Sequence, residues 1–487
     1  MKRIILLLVV SGFFMVSCHF EKSSKVKIYK APEGELLSAK YKITADGQNV
    51  PVYIAKIGME NKADREKAMD DMLHSNLFYD IAGFAYFDIK EMPVKVVVSV
   101  NEEIEKVKIL PTSFGITPEI KGKTIIFEID KPQNLTVEIN GDHIRSLHIF
   151  VNPEEKNIPN PNDPHVIYFG PGIHKVVSSV VVPDSTIVYV AGGAIVRCYN
   201  KTPWDPENLN GDKEPQQESP SFILKGKHIK FCGRGIIDQE NVHRMKSRVM
   251  ISVTGEDIEL EGVILRNSSH WTVALGGSDS VKVDNLKILG FRANSDGVDI
   301  CNSWKVLVEN CFIRTLDDLV VVKTFNGKKG SGDILIQKCV LWNEVAHALS
   351  IGAEVKQVVD GVTFKDCDII GDHCREWSLR VYNCDKGVVK NITFDNIRIE
   401  EAVKFASLWI NKTMWTTDSE RGHIENVTFK NITLTDSKPL EKGMEFLGFD
   451  NDHAIKNVNI ENVIIQGKKI TRKDIVTNDY VSDVTVK

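Results

Sequence analysis

Asp296, Asp317, Asp318, His347 and Arg380 each follow one copy of a repeated strand pattern at a similar offset. Stacked copies would bring three carboxylates, an imidazole and a guanidinium into one stripe. Cleavage of a glycosidic bond needs a carboxylic acid to protonate the leaving oxygen. It also needs a second carboxylate, which attacks the sugar or activates water. Crowded carboxylates repel, so at least one has a raised pKa and keeps its proton near neutral pH. Any member alone is unremarkable: Asp296-Gly297 is a common turn dipeptide, and a lone Asp pair, His or Arg at a strand end is usually structural. Their shared register is what points to chemistry. Diagonal placement on neighbouring strands would separate the carboxyls by roughly 6.5–9.5 Å, room for a water, which predicts inversion.

The elements that must position them recur from about residue 225. The copies read Ile258-Glu-Leu-Glu-Gly-Val, Val281-Lys-Val-Asp-Asn-Leu, Val306-Leu-Val-Glu-Asn-Cys and Ile334-Leu-Ile-Gln-Lys-Cys. They continue as Val362-Thr-Phe-Lys-Asp-Cys, Ile392-Thr-Phe-Asp-Asn-Ile, Val427-Thr-Phe-Lys-Asn-Ile and Val458-Asn-Ile-Glu-Asn-Val. Alternation of β-branched residues says strand, and an interval of roughly 23 to 35 residues says solenoid. Propeller blades need longer repeats and hairpins, and hairpin dipeptides are scarce here. The expected fold is therefore all-β, a right-handed parallel β-helix over residues 165–487. Asn285, Asn310, Asn396, Asn431 and Asn462 share one slot, as stacked corner residues would. Cys311, Cys339 and Cys367 share another, which Ile397, Ile432 and Val463 fill later, so these thiols are expected in the core. Cys374 and Cys384 flank Arg380 and are the pair that could form a disulfide.

Residues 26–160 read differently, as short strands split by Gly-Lys, Asn-Gly and Pro turns, which predicts a β-sandwich in front of the solenoid. Helical spacing over residues 61–77 predicts one helical excursion, and residues 152–164 a link. The polar stretch 199–220 reads as a long loop that could wall a cleft. Met1-Lys2-Arg3, an apolar run over residues 4–16 and Ser17-Cys18 read as a lipoprotein-type signal over residues 1–18. Cys18 would carry the lipid, residues 19–25 would be a tether, and the protein would sit in the periplasm or outer membrane. Apart from that anchor no membrane contact is expected. A net charge of -5 makes nucleic acid an unsuitable partner.

The motifs resemble those of the polygalacturonase family of β-helical glycoside hydrolases, family 28. Asn294-Ser295-Asp296-Gly297-Val298-Asp299 is similar to that family's Asn-Thr-Asp-Gly-x-Asp. Asp317-Asp318 matches its Asp-Asp, and Ala346-His347-Ala348-Leu349-Ser350-Ile351-Gly352 resembles Gly-His-Gly-x-Ser-x-Gly. The front domain and its junction resemble the dextranase and isopullulanase family, family 49. The resemblance implies Asp317 as general acid, Asp296 and Asp318 activating water, His347 tuning the acid and Arg380 binding substrate. It also implies Asp299 as structural and Lys323 as a rim residue near the cleft. Tyr382 stands where the family has the Lys that grips a uronate carboxylate. A phenol cannot supply that charge, so the expectation tilts from a pectic glycan toward a neutral glucan. Trp377, Trp409 and Trp415 follow the catalytic coils and could stack on sugar rings. The expected activity is inverting hydrolysis of a polysaccharide or oligosaccharide, with no cofactor and no metal. A polysaccharide lyase and a non-catalytic glycan-binding solenoid are the alternatives.

Overall fold

The computed structural model describes residues 24–487 apart from 72, 203, 205–215, 328 and 374. The residues read as a signal with Cys18, most of those read as a tether, Cys374 and the middle of the stretch read as a loop lie outside them. Cys384 is a buried free thiol, as are Cys311, Cys339 and Cys367.

From Val166 onward the chain winds into a right-handed parallel β-helix of 31 strands, nearly all paired in parallel with the strand one coil ahead. The repeat of the sequence is the register of the coils. Val281, Val306, Ile334, Val362, Ile392, Val427 and Val458 stack in one file. They point inward with Cys311, Cys339, Cys367, Ile397, Ile432 and Val463, so each coil contributes the same layer to one apolar core. Phe364, Phe394, Phe429 and Phe446 form a stacked ladder inside it, with centroids 4.8, 5.0 and 5.9 Å apart.

The Asn slot is a corner where the backbone turns through the left-handed region, with φ of 55° at Asn285, 56° at Asn310 and 53° at Asn396. Asn tolerates that conformation because its short polar side chain bonds locally. Here it bonds along the axis too: Asn396 Nδ2 donates to Asp366 Oδ1 at 2.7 Å, and Asn462 Nδ2 to Asn431 Oδ1 at 3.0 Å.

The front of the chain is a β-sandwich of a six-stranded and a five-stranded sheet. Its helix α1 (Lys62–Asp70) is capped by Asn61, whose side chain accepts from the Ala63 and Asp64 amides; a short 3-10 turn, Ser75–Leu77, follows. The six-stranded sheet is buried on both faces. Ala85, Phe87, Ile149 and Val151 face the other sheet. Phe84, Tyr86 and Phe150 face the solenoid, against Ile236, Ile264, Leu289, Phe312 and Trp342. Two-sided burial explains why every residue from Ala82 to Ile89 is buried, where one-sided strands alternate.

One sheet of the solenoid carries the stripe. Its strands are β1 (Val273–Gly276), β2 (Val298–Cys301), β3 (Val320–Thr324), β4 (Leu349–Val355), β5 (Leu379–Asn383), β6 (Lys404–Ile410) and β7 (Lys442–Leu447). Each pairs in parallel with the next.

Candidate active site

Alternation decides which side chains enter the core and which leave it. Val298 and Ile300 of β2, Val320 and Val322 of β3, and Leu379 and Val381 of β5 enter the core. Asp299, Lys323, Arg380 and Tyr382 consequently point outward. Cross-coil register places Asp299 beside Val321, then Ser350, then Arg380, and Tyr382 beside Trp409.

Asp296, Asp317, Asp318 and His347 lie in the turns just before β2, β3 and β4, not in the strands themselves. The turns stack as the strands do: Gly297 N donates to Asp318 O at 2.8 Å and Leu319 N to His347 O at 2.9 Å. Gly297 is required by proximity, since a Cβ there would fall 2.3 Å from Leu319 O.

The three carboxylates converge, each offering an oxygen within 4.8 Å of the others. The carboxyls occupy equivalent turns of adjacent coils rather than the diagonal strand positions expected from sequence. Lys323 is a second correction. It is no rim residue but lies buried at the centre, its ammonium 3.1 Å from Asp299, 3.4 Å from Asp296 and 4.0 Å from Asp318. Four carboxylates around one ammonium cannot all ionise cheaply. Three oxygens within reach could hold a divalent cation in geometry alone, but Lys323 already supplies positive charge there.

The electrostatics separate the neighbours. Burial, then the adjacent Asp318 charge, pushes Asp317 up to about 6, although it accepts from the Asn294 and Asp318 amides at 3.0 Å each. Burial would also raise Asp318, but His347 and Lys323 outweigh it and hold that carboxyl below its usual range. His347 Nδ1 is 2.7 Å from Asp318 Oδ1. Burial, with Asp299 and Asp317 adding, holds Asp296 well above the carboxylate range. Asp299 rises to about 7, chiefly by burial, with Lys323 opposing.

Downstream, Arg380 is buried and ion-paired with Glu376 at 3.0 Å. Its guanidinium lies 4.5 Å from the Tyr382 ring centroid and 5.1 Å from that of Trp409. The two rings stack 5.1 Å apart and are both half-buried, leaving an aromatic surface beside the acids. Trp377, by contrast, is 5% exposed and has no open face for a sugar, a correction to its expected role. Trp415 is 51% exposed at the turn after β6.

Upstream, sequence reasoning assigned no role to Trp271 or Arg244. Lys323 Nζ sits 4.5 Å over the Trp271 ring, which lines a cavity of about 240 Å³ with Phe325, Asn302 and Cys301. Arg244 bonds Ala293 O at 2.9 Å and Asn294 Oδ1, steadying the turn that carries Asp296. Their signal was faint, because neither belongs to the repeated pattern. A larger cavity of about 610 Å³ lies at the sandwich junction, lined by Phe114, Asn134 and Arg398, and none of the expected catalytic residues borders it.

This geometry has counterparts. The model of glycosyl hydrolases family 28 matches residues 175–482. "Probable exopolygalacturonase B" of Aspergillus terreus is 26% identical over 204 residues, covering 38% of this chain and 45% of that protein. The polygalacturonase of Juniperus ashei is 29% identical over 158 residues, covering 30% of this chain and 29% of its own. The matched stretches thus span less than half of either relative. Among solved structures, Dex49A from Penicillium minioluteum is similar in fold at a TM-score of 0.67 and 13% identity, over 95% of this chain and 96% of that one. The polygalacturonase from Erwinia carotovora matches at a TM-score of 0.52 and 18% identity, over 65% of this chain and 86% of its own. The first likeness extends across the front sandwich, the second covers a smaller share. With its family match running through the coils that carry Asp296, Asp317, Asp318, His347 and Arg380, this chain belongs to glycosyl hydrolases family 28.

Proposed function

We propose that this glycoside hydrolase cleaves a polysaccharide or oligosaccharide with Asp317 as general acid, while Asp318 and Asp296 activate a water. The observation that carries the reading is the divergence of adjacent carboxyls: Asp317 is pushed up to about 6 while Asp318 is held low. A proton donor and an ionised base then coexist near neutral pH. Asp296 is itself raised and enters as a group that holds the water by hydrogen bond, leaving Asp318 as the base. Lys323 balances charge as the proton moves.

Inversion is the stereochemical course we assign, since two carboxyls beside Lys323 can cradle one water for a single displacement. Retention is the second reading, favoured by the close approach of the carboxyl oxygens, because retaining enzymes place their carboxyls closer than inverting ones do. For substrate we infer a neutral glycan. Arg380 is already neutralised by Glu376, and Tyr382 offers a ring where a uronate would want a cation. The test is a panel of neutral glucans and pectic glycans with the initial product anomer followed by NMR. Turnover confined to uronate polymers would overturn the substrate assignment, and retention of configuration the assignment of water as nucleophile. Asp317→Asn and Asp318→Asn should each lower kcat by about 10²–10⁴-fold with circular dichroism unchanged; full activity in either removes its role.

A further inference from the structure

At the seam between sandwich and solenoid, one histidine of the sandwich meets two residues of successive solenoid coils. His143 belongs to the strand Asp142–Pro153, His373 directly follows Asp368–Asp372, and Glu401 follows Arg398–Ile399. Each offers one ligand atom, and the three atoms lie within 4.8 Å of one another. We propose that His143, His373 and Glu401 form a binding site for one divalent metal ion of zinc type, which clips the sandwich onto the solenoid.

The orientation of the groups argues for this. Glu401 sits between the imidazoles, with Oε2 3.2 Å from His143 Nε2 and Oε1 4.0 Å from His373 Nδ1. His143 Nε2 is buried yet not aligned to hydrogen-bond that carboxylate, and His373 Nε2 is buried with no hydrogen-bond partner. Buried polar atoms without partners ask for a physical reason. The far nitrogen of His143, Nδ1, is 2.8 Å from Glu138 Oε2. With Glu138 accepting from Nδ1, Nε2 faces the cluster and would offer its lone pair to an ion there, as in carboxylate–histidine–metal triads. The indole of Trp342 stacks on His143 at 4.3 Å and limits its rotation.

Two imidazoles and one carboxylate are a donor set that suits zinc, with a fourth position left for water. Two groups compete with the ion. Lys438 pairs with Glu401 Oε1, but its side chain is 71% exposed and free to swing away. A proton on His143 Nε2 would instead pair with Glu401 and take the place of the ion.

The experiment uses the full chain, stripped with chelator and titrated with zinc sulfate at pH 7.5, with bound metal counted and thermal unfolding followed. One ion per chain should bind outside the catalytic carboxylates. At about a hundredfold excess over Kd it should raise the midpoint by about 2–4 °C. His373→Ala and Glu401→Gln should each lose that ion and the shift, while Asp296→Asn should keep both. Cobalt(II) added to the unaltered protein should give a tetrahedral ligand-field band, a readout that does not depend on variants folding. No bound zinc, zinc retained by both ligand variants, or no cobalt band would each overturn the site.

Discussion

Asp317 and Asp318 are joined by one peptide bond and have opposite acid strengths, and that difference has a pH signature. The acid must be protonated and the base ionised. kcat/KM should therefore fall on the alkaline side near pH 6, where Asp317 titrates, and on the acid side below the ordinary carboxylate range, where Asp318 does. The two limbs report the coupled cluster, not isolated groups. His347→Gln removes the partner that holds Asp318 down, so the acid limb should move to higher pH; a limb that stays put would separate His347 from the base. Stability carries the converse sign. A carboxyl raised in the fold favours its protonated form, so the fold loses stability as pH rises from the unfolded value, near 4, through about 6. Asp317→Asn should accordingly melt higher than the parent at pH 7, by about 1–2 °C, in calorimetry. Lys323 was visible as a Lys in an otherwise apolar Val-Val-Val-Lys run. Its outward direction follows from strand alternation, yet the carboxylates it meets come from two coils, its own and the one before.

The coil is where sequence and structure agree most closely. The slot occupied by Asn285, Asn310, Asn396, Asn431 and Asn462 is legible because one backbone need, a left-handed corner, recurs with one chemical answer. Asn396→Val should lower the midpoint of unfolding by an amount equivalent to about 1–3 kcal/mol, since it adds β-branched strain and strips Asp366 of its donor. Asn396→Gly should recover most of the strain component, and equal losses in the two variants would show that the corner conformation is not what Asn supplies. The tight spacing of the acids was less legible. Counting residues from the corner placed them within strands, whereas local turns before β2, β3 and β4 take up the difference. A displacement of one or two residues is small in sequence and changes a carboxyl separation by several ångströms.

Across the molecule, the sandwich is held to the solenoid by apolar contact and by buried ion pairs that interlock with it. Arg314 and Glu344 are both fully buried, 2.7 Å apart, with the guanidinium 3.9 Å over Trp342 and against His148 of the sandwich. Arg314→Met leaves Glu344 uncompensated in a dry seam and should cost about 3–5 kcal/mol, seen as a lower thermal midpoint; an unchanged midpoint would mean that water reaches the seam. The chain's one-dimensional pattern was enough to establish the coil, its inward and outward faces, the corner residues and the candidate acids, because each depends on a periodic local preference that repeats down the rod. Periodicity says nothing about pairs that meet once. The docking of the sandwich, the burial of Trp377, the central place of Lys323, the meeting of Glu376 with Arg380 and the convergence of His143 with His373 and Glu401 each join residues through a single spatial accident of packing. Such contacts leave no repeating trace along the polymer, so folding alone brings them about.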